Sequence, residues 1–275
     1  MVRVVLRRFG SIEGSDIDYI MKTLEECYLR FDPHEVSYLD LYLFENTASM
    51  KAFFNLERLE VGVTLGSFED VFIAQHDAWR GVPRISICLD RLRSLPKEVR
   101  IGSIRHEVGH SVLHGSIEYY VTPQLMMPGL ASRLSEKSAG SFMYLVSIAV
   151  KDFEVARSLF ERGYAEDQVA YAMNILDTTD DDLLAWRISR GNRFAETLCL
   201  ISRFKEVCYA APFLGSERYR SELEDRIVQN LSYLGSANTK KLLEIATGDL
   251  PKLGVDTIKN INLLSHLLLE TFMGV

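Results

Sequence analysis

The spacing of apolar residues changes near residue 95 of the chain. Before that point the apolar residues form short runs, typical of strands, between longer segments with helical spacing. The run at 84–90 alternates strictly, with Ile85, Ile87 and Leu89 on one face. Ser15 is the expected cap of the first helix. The pattern predicts strands at 4–6, 36–44, 71–74 and 84–90, and helices at 16–29 and 47–59.

After residue 95 nearly every segment has the amphipathic spacing of a helix. A helix is predicted at 96–114, with Ser94 as its cap, Pro96 in its first turn and Gly115 at its end. A loop-like stretch at 116–140 precedes a second helix at 141–162. The remainder is expected to be several helices, which are interrupted at 178–182, 191–192, 211–215, 235–236 and 248–251.

These elements predict an α+β fold. The N-terminal half should hold a mostly antiparallel or mixed sheet that ends in the 84–90 strand, and the C-terminal half should be mostly helical. We expect a core domain at 1–163 and a helical subdomain at 164–275, although no linker rich in Pro, Gly or Ser marks the boundary.

Composition and charge exclude several classes of protein. The 275 residues carry 31 Lys and Arg against 38 Asp and Glu, and a net charge of −7 argues against a nucleic-acid binder. No apolar run is long enough to span a membrane, and Arg7 and Arg8 interrupt the N-terminal one. The four cysteines are scattered, which is typical of a reducing compartment. The sequence therefore predicts a cytoplasmic protein without nucleic-acid or membrane partners, and leaves its oligomeric state open.

The chemistry of the chain is concentrated in one short segment of the 96–114 helix. It contains the pattern His-Glu-x-x-His, formed by His106, Glu107 and His110. Residues four apart lie on one face of a helix, so both imidazoles can bind one zinc ion. Glu107 is rotated about 100° from His106, where it can act as general base on a zinc-activated water.

This segment resembles the active helix of the zincins, the zinc metallopeptidases with a His-Glu-x-x-His motif. The extension to His114 is similar to some minimal intracellular zincins, whereas the metzincin pattern is absent. The resemblance implies a zincin-like fold, in which the strand before the active helix is an edge strand that pairs with bound peptide. The strand at 84–90 has that place in the sequence.

A zincin site needs a third protein ligand, and the 141–162 helix offers Asp152 and Glu154. Asp152 lies in the apolar arc of this helix, where an unpaired carboxylate is unfavourable, so we expect it to bind the metal. By resemblance, the segment 151–155 is also similar to the downstream motif of Asp-ligand zincins. Glu154 lies on the polar arc and stays as the alternative ligand. His114 is two turns from His106, too far to share that metal, and is expected to interact with the helix dipole.

A Tyr or His that stabilises the oxyanion is usual in zincins, but the sequence does not select one. The candidates are Tyr119, Tyr120, Tyr144 and Tyr164.

The sequence favours a zinc-dependent metallopeptidase that hydrolyses a peptide or protein substrate. The alternative is a non-catalytic zinc-binding interaction or regulatory protein on a zincin fold. Glu107 favours catalysis, because a structural zinc needs four protein ligands and no general base. A helical scaffold with an accidental motif is the third reading, and it predicts no bound metal.

Overall fold

A computed structural model describes residues 2–60, 72–125 and 136–274 of the chain, without the side chains of 122–125, 136 and 137. Within these residues no helix is both long and apolar enough to cross a membrane. The chain forms two compact units, Met1–Ile117 and Glu118–Val275. The two units meet at residues 117 and 118, whereas we expected the boundary at 163, after the predicted helix at 141–162.

The first unit contains four strands and four helices among the described residues. Its order along the chain is β1 (Arg3–Phe9), α1 (Gly14–Phe31), β2 (Tyr38–Phe44), α2 (Thr47–Glu60), β3 (Ala74–Asp77), β4 (Arg84–Cys88), α3 (Leu89–Arg93) and α4 (Lys97–Leu113).

The strands form one mixed sheet in the order β1-β2-β4-β3. Strands β1, β2 and β4 are parallel, with Leu6, Leu41 and Ile85 in register, and β3 is antiparallel to β4. All five residues of β4 are buried, on both faces of the sheet. Such burial is typical of a parallel strand, and it explains why Ser86 and Cys88 are as buried as Ile85 and Ile87.

An ion-pair network links β3, β4 and α2. The Arg84 guanidinium donates to both carboxylate oxygens of Glu57 at 2.7 and 2.9 Å, and its Nε donates to Asp77 at 2.9 Å. All three side chains are buried. Because each charge has a hydrogen-bonded partner, the network can stay inside the unit and hold β3 against β4.

The second unit is helical throughout its described residues. Its helices are α5 (Glu118–Leu125), α6 (Glu136–Glu161), α7 (Glu166–Ile175), α8 (Asp180–Ser189), α9 (Arg193–Leu214), α10 (Glu217–Leu231), α11 (Ser236–Gly248) and α12 (Thr257–Met273), with short 3-10 helices at Ser232–Leu234 and Leu250–Lys252.

The core of this unit is built around α6 and α9. Phe153 of α6 and Phe204 and Phe213 of α9 are all buried in one apolar cluster. The expected break at 178–182 is the start of α8, where Thr179 and Asp182 form a capping box. The α+β class, the mixed sheet and the helical C-terminal half are thus confirmed.

Some elements differ from the expectation. The predicted strand at 71–74 is wrong, because β3 begins at Ala74; residue 71 itself lies outside the described residues. The predicted loop at 116–140 contains α5 and the first turn of α6. The cap of α1 is Glu13 rather than Ser15, and its side chain makes no capping hydrogen bond.

Candidate metal centre

Helix α4 carries the motif and is buried on nearly all sides. From Gly102 to Ser111 every residue except Arg105 is buried. A hydrogen bond of 2.7 Å joins the Tyr28 hydroxyl of α1 to the Ser111 hydroxyl of α4. A helix that packs on several sides holds its side chains in fixed rotamers, which a metal site requires.

The two motif histidines point their ring nitrogens at one another. The Nε2 atoms of His106 and His110 are 3.0 Å apart, and the rings are nearly perpendicular. Two nitrogens bound tetrahedrally to one zinc at 2.0–2.1 Å would be about 3.4 Å apart. The arrangement of the two imidazoles therefore fits the requirement of a shared ion.

The second ring nitrogen of His110 faces a different partner. His110 Nδ1 lies 3.2 Å from His114 Nδ1, on the ring edge away from the His106 contact. His114 is 1% exposed and is the C-cap residue of α4. His114 therefore contacts the Nδ1 side of the His110 ring. It does not join the two Nε2 atoms as a third metal-binding nitrogen.

Glu107, the expected general base, is buried at 5% exposure in the same turn as His106. A carboxylate that is withdrawn from bulk water interacts more strongly with nearby positive charge than an exposed one does.

Asp152, the expected third ligand, lies on α6 of the second unit, whereas both motif histidines lie on α4 of the first unit. Two imidazole nitrogens and one carboxylate oxygen are a donor set that zinc uses in catalytic sites, where three protein ligands leave a fourth position open. These three residue types therefore suit the zinc ion that the resemblance to the zincins implies.

The surroundings of Asp152 differ from the expectation. Asp152 is only partly buried, and Lys151 and Lys205 both act on it electrostatically. Burial, with a smaller contribution from the Asp152 charge, raises the pKa of the Cys208 thiol well above its usual value. The carboxylate of Asp152 thus has cationic neighbours within its own unit, and its role as third ligand stays a prediction.

Glu154, the alternative ligand, has its carboxylate inside the second unit. It is 7% exposed and accepts hydrogen bonds from Thr257 Oγ1 at 2.7 Å and Asn260 Nδ2 at 2.6 Å. Burial raises the pKa of Glu154, and these two donors oppose that effect. The polar arc of α6 is thus not open to solvent at Glu154, because α12 supplies both donors on this side of the helix.

The strand at the end of the described sheet is β3, not the 84–90 strand. Strand β4 lies between β2 and β3, so the edge position that the resemblance implied for 84–90 is wrong. His76 of β3 stacks parallel to the His110 ring, with centroids 6.1 Å apart. Three of the four residues of β3 are polar, so the apolar periodicity gave no signal for His76.

The four tyrosines considered for the oxyanion have different surroundings. Tyr164 is buried, Tyr144 is 63% exposed, and Tyr120 lies under the Lys151 ammonium at 4.8 Å. Burial raises the pKa of Tyr119, which also hydrogen-bonds to Thr257. None of these observations selects an oxyanion residue.

Comparisons of this chain with protein-family models, with curated proteins and with solved structures find no match.

Proposed function

We propose that the chain is a zinc-dependent metallopeptidase. His106, His110 and Asp152 would hold the ion, and Glu107 would act as general base. The observation that carries this proposal is the convergence of the two buried imidazoles through their Nε2 atoms, 3.0 Å apart, one helical turn from each other.

Each of these residues has a distinct task. The imidazoles donate neutral nitrogens and Asp152 contributes the negative charge that offsets part of the dication. A bound zinc ion polarises a carbonyl group and lowers the pKa of a water molecule. Glu107 accepts the proton of the water that attacks the peptide carbonyl and returns it to the leaving amine.

The proposal also covers substrate and location. We propose a peptide or protein substrate, because a general base beside a metal that polarises carbonyls suits amide hydrolysis. The four cysteines form no disulfide, which supports a reducing compartment, and we propose the cytoplasm.

The test compares the wild type with Glu107→Gln, both loaded with zinc, on a library of internally quenched fluorescent peptides. Gln has nearly the shape of Glu but cannot accept the proton. We expect equal zinc content and a loss of hydrolysis of at least about 100-fold in the variant. Equal hydrolysis by both proteins would contradict the assigned base. Zinc binding without hydrolysis by either protein would favour the non-catalytic zinc-binding alternative.

A further inference from the structure

His110 is contacted at both of its ring nitrogens by other histidines of the same helix. His106 Nε2 is 3.0 Å from its Nε2, and His114 Nδ1 is 3.2 Å from its Nδ1. The ring of His110 is therefore held at two points.

The backbone fixes where the His114 ring lies. His114 leaves the helical conformation with φ −130° and ψ 24°, while its N–H donates to the His110 carbonyl at 2.7 Å. The next residue, Gly115, passes so close to the helix that an added Cβ would be 2.1 Å from the Ser111 carbonyl oxygen. A side chain there would force the chain end to move, so this tight exit from α4 fixes the position of His114.

The pair of Nδ1 atoms constrains the protons of both rings. A neutral imidazole carries one proton, and a metal ligand atom must be without one. If His110 binds zinc through Nε2, its proton is on Nδ1 and must be donated. His114 Nδ1 lies 3.2 Å from His110 Nδ1, and it accepts that proton only when His114 carries its own proton on Nε2.

We propose that His114 is a positioning residue for the metal site. It accepts the Nδ1–H of His110 and thereby selects the tautomer whose Nε2 is free for the ion. It also fixes the rotation of the ring. This inference rests on the proposed zinc site, and goes beyond it by assigning a task to a histidine that is not a ligand.

The matched variants are His114→Asn and His114→Gln. The Asn side-chain oxygen branches from Cγ where His Nδ1 does, so it can accept the same proton. The Gln oxygen is one carbon further from the backbone and is misplaced for that bond. His114→Leu removes the acceptor entirely, and His266→Leu, at an exposed position of α12, is the control.

The measurement is the zinc dissociation constant, from competition with a chromophoric chelator. We expect affinity to fall about 10- to 100-fold in the Gln and Leu variants, as when other supporting partners of metal ligands are lost. His114→Asn should stay within a few-fold of the wild type, and His266→Leu should equal it. Thermal unfolding without zinc identifies any variant that does not fold. Among the folded variants, the difference in zinc affinity between His114→Asn and His114→Gln tests the inference.

Each other outcome overturns the inference. If the wild type binds zinc and Gln binds as tightly as Asn, His114 has no positioning task, while the zinc site stands. If Asn loses as much affinity as Leu, the role of His114 is packing alone. If the wild type binds no zinc, the proposed function fails together with this inference.

Discussion

Two carboxylates on α6 show how surroundings decide the role of a side chain. Asp152 and Glu154 are two residues apart, yet Asp152 is only partly buried and Glu154 is held by Thr257 and Asn260. The two short hydrogen bonds hold the Glu154 carboxylate toward α12, within the second unit. This contrast favours Asp152 as the third ligand.

We therefore predict opposite effects of two conservative substitutions. Asp152→Asn should weaken zinc affinity by more than the 10- to 100-fold that loss of a supporting residue typically costs. Glu154→Gln should leave zinc affinity nearly unchanged. It should lower the free energy of unfolding by about 1–3 kcal/mol, because the Gln side-chain NH2 group would face a hydrogen-bond donor of Thr257 or Asn260 in place of an acceptor oxygen. Chelator competition and denaturant unfolding of both variants measure these effects. The reverse ranking of zinc affinities would refute the assignment of Asp152.

Asp77 gives a prediction about pH. Burial raises its pKa from 3.8 to about 6, although Arg84 opposes the shift. The folded state therefore binds more protons than the unfolded state between about pH 4 and 6, so the stability linked to Asp77 is present below pH 4 and is lost as pH rises through 6.

The measurement is the free energy of unfolding of the wild type and of Asp77→Asn from pH 4 to 7. We expect the difference, wild type minus variant, to fall as pH rises, by at most about 1.4 kcal/mol per pH unit. A difference that is flat or rises over this range would contradict the raised pKa of Asp77.

At the scale of elements, the antiparallel strand β3 depends on buried charge. Its residue Asp77 and Glu57 of α2 both bind Arg84 of β4. Removing Arg84 would leave two buried carboxylates without their main partner, which is far more unfavourable than losing an exposed pair.

Arg84→Met should lower the free energy of unfolding by about 3–5 kcal/mol. The control is Arg80→Met, since Arg80 also contacts Glu57, at 3.0 Å, but its side chain is 49% exposed. It should lose no more than about 1 kcal/mol. Denaturant unfolding of the two variants gives the comparison, and similar losses would mean that burial of the Arg84 network contributes little.

The elements also show which signals the sequence carries. The motif in α4 was predictable because the spacing of His106 and His110 within one helix determines their common face. Strand β3 was misplaced because Gln75, His76 and Asp77 are polar, and the burial of Asp77 depends on Arg84, which lies on another strand. The spacing of apolar residues cannot predict a strand whose polar residues are held by ion pairs to distant parts of the chain.

For the whole molecule, composition and periodicity predicted the α+β class and the helical C-terminal half. They could not predict the environment of Glu154, because Thr257 and Asn260 are more than 100 residues away along the chain. A helical wheel describes one helix alone, and here the polar arc of α6 is covered by α12. The role of Asp152 as third ligand stays a prediction.

The central claim is that one zinc ion binds through the motif of α4. The most direct measurement is the zinc content per chain by elemental analysis, after exposure to excess zinc and removal of the unbound metal. We predict about one zinc per wild-type chain and almost none in the folded double variant His106→Ala/His110→Ala. Stoichiometric zinc retained by the double variant, or none in the wild type, would contradict the account.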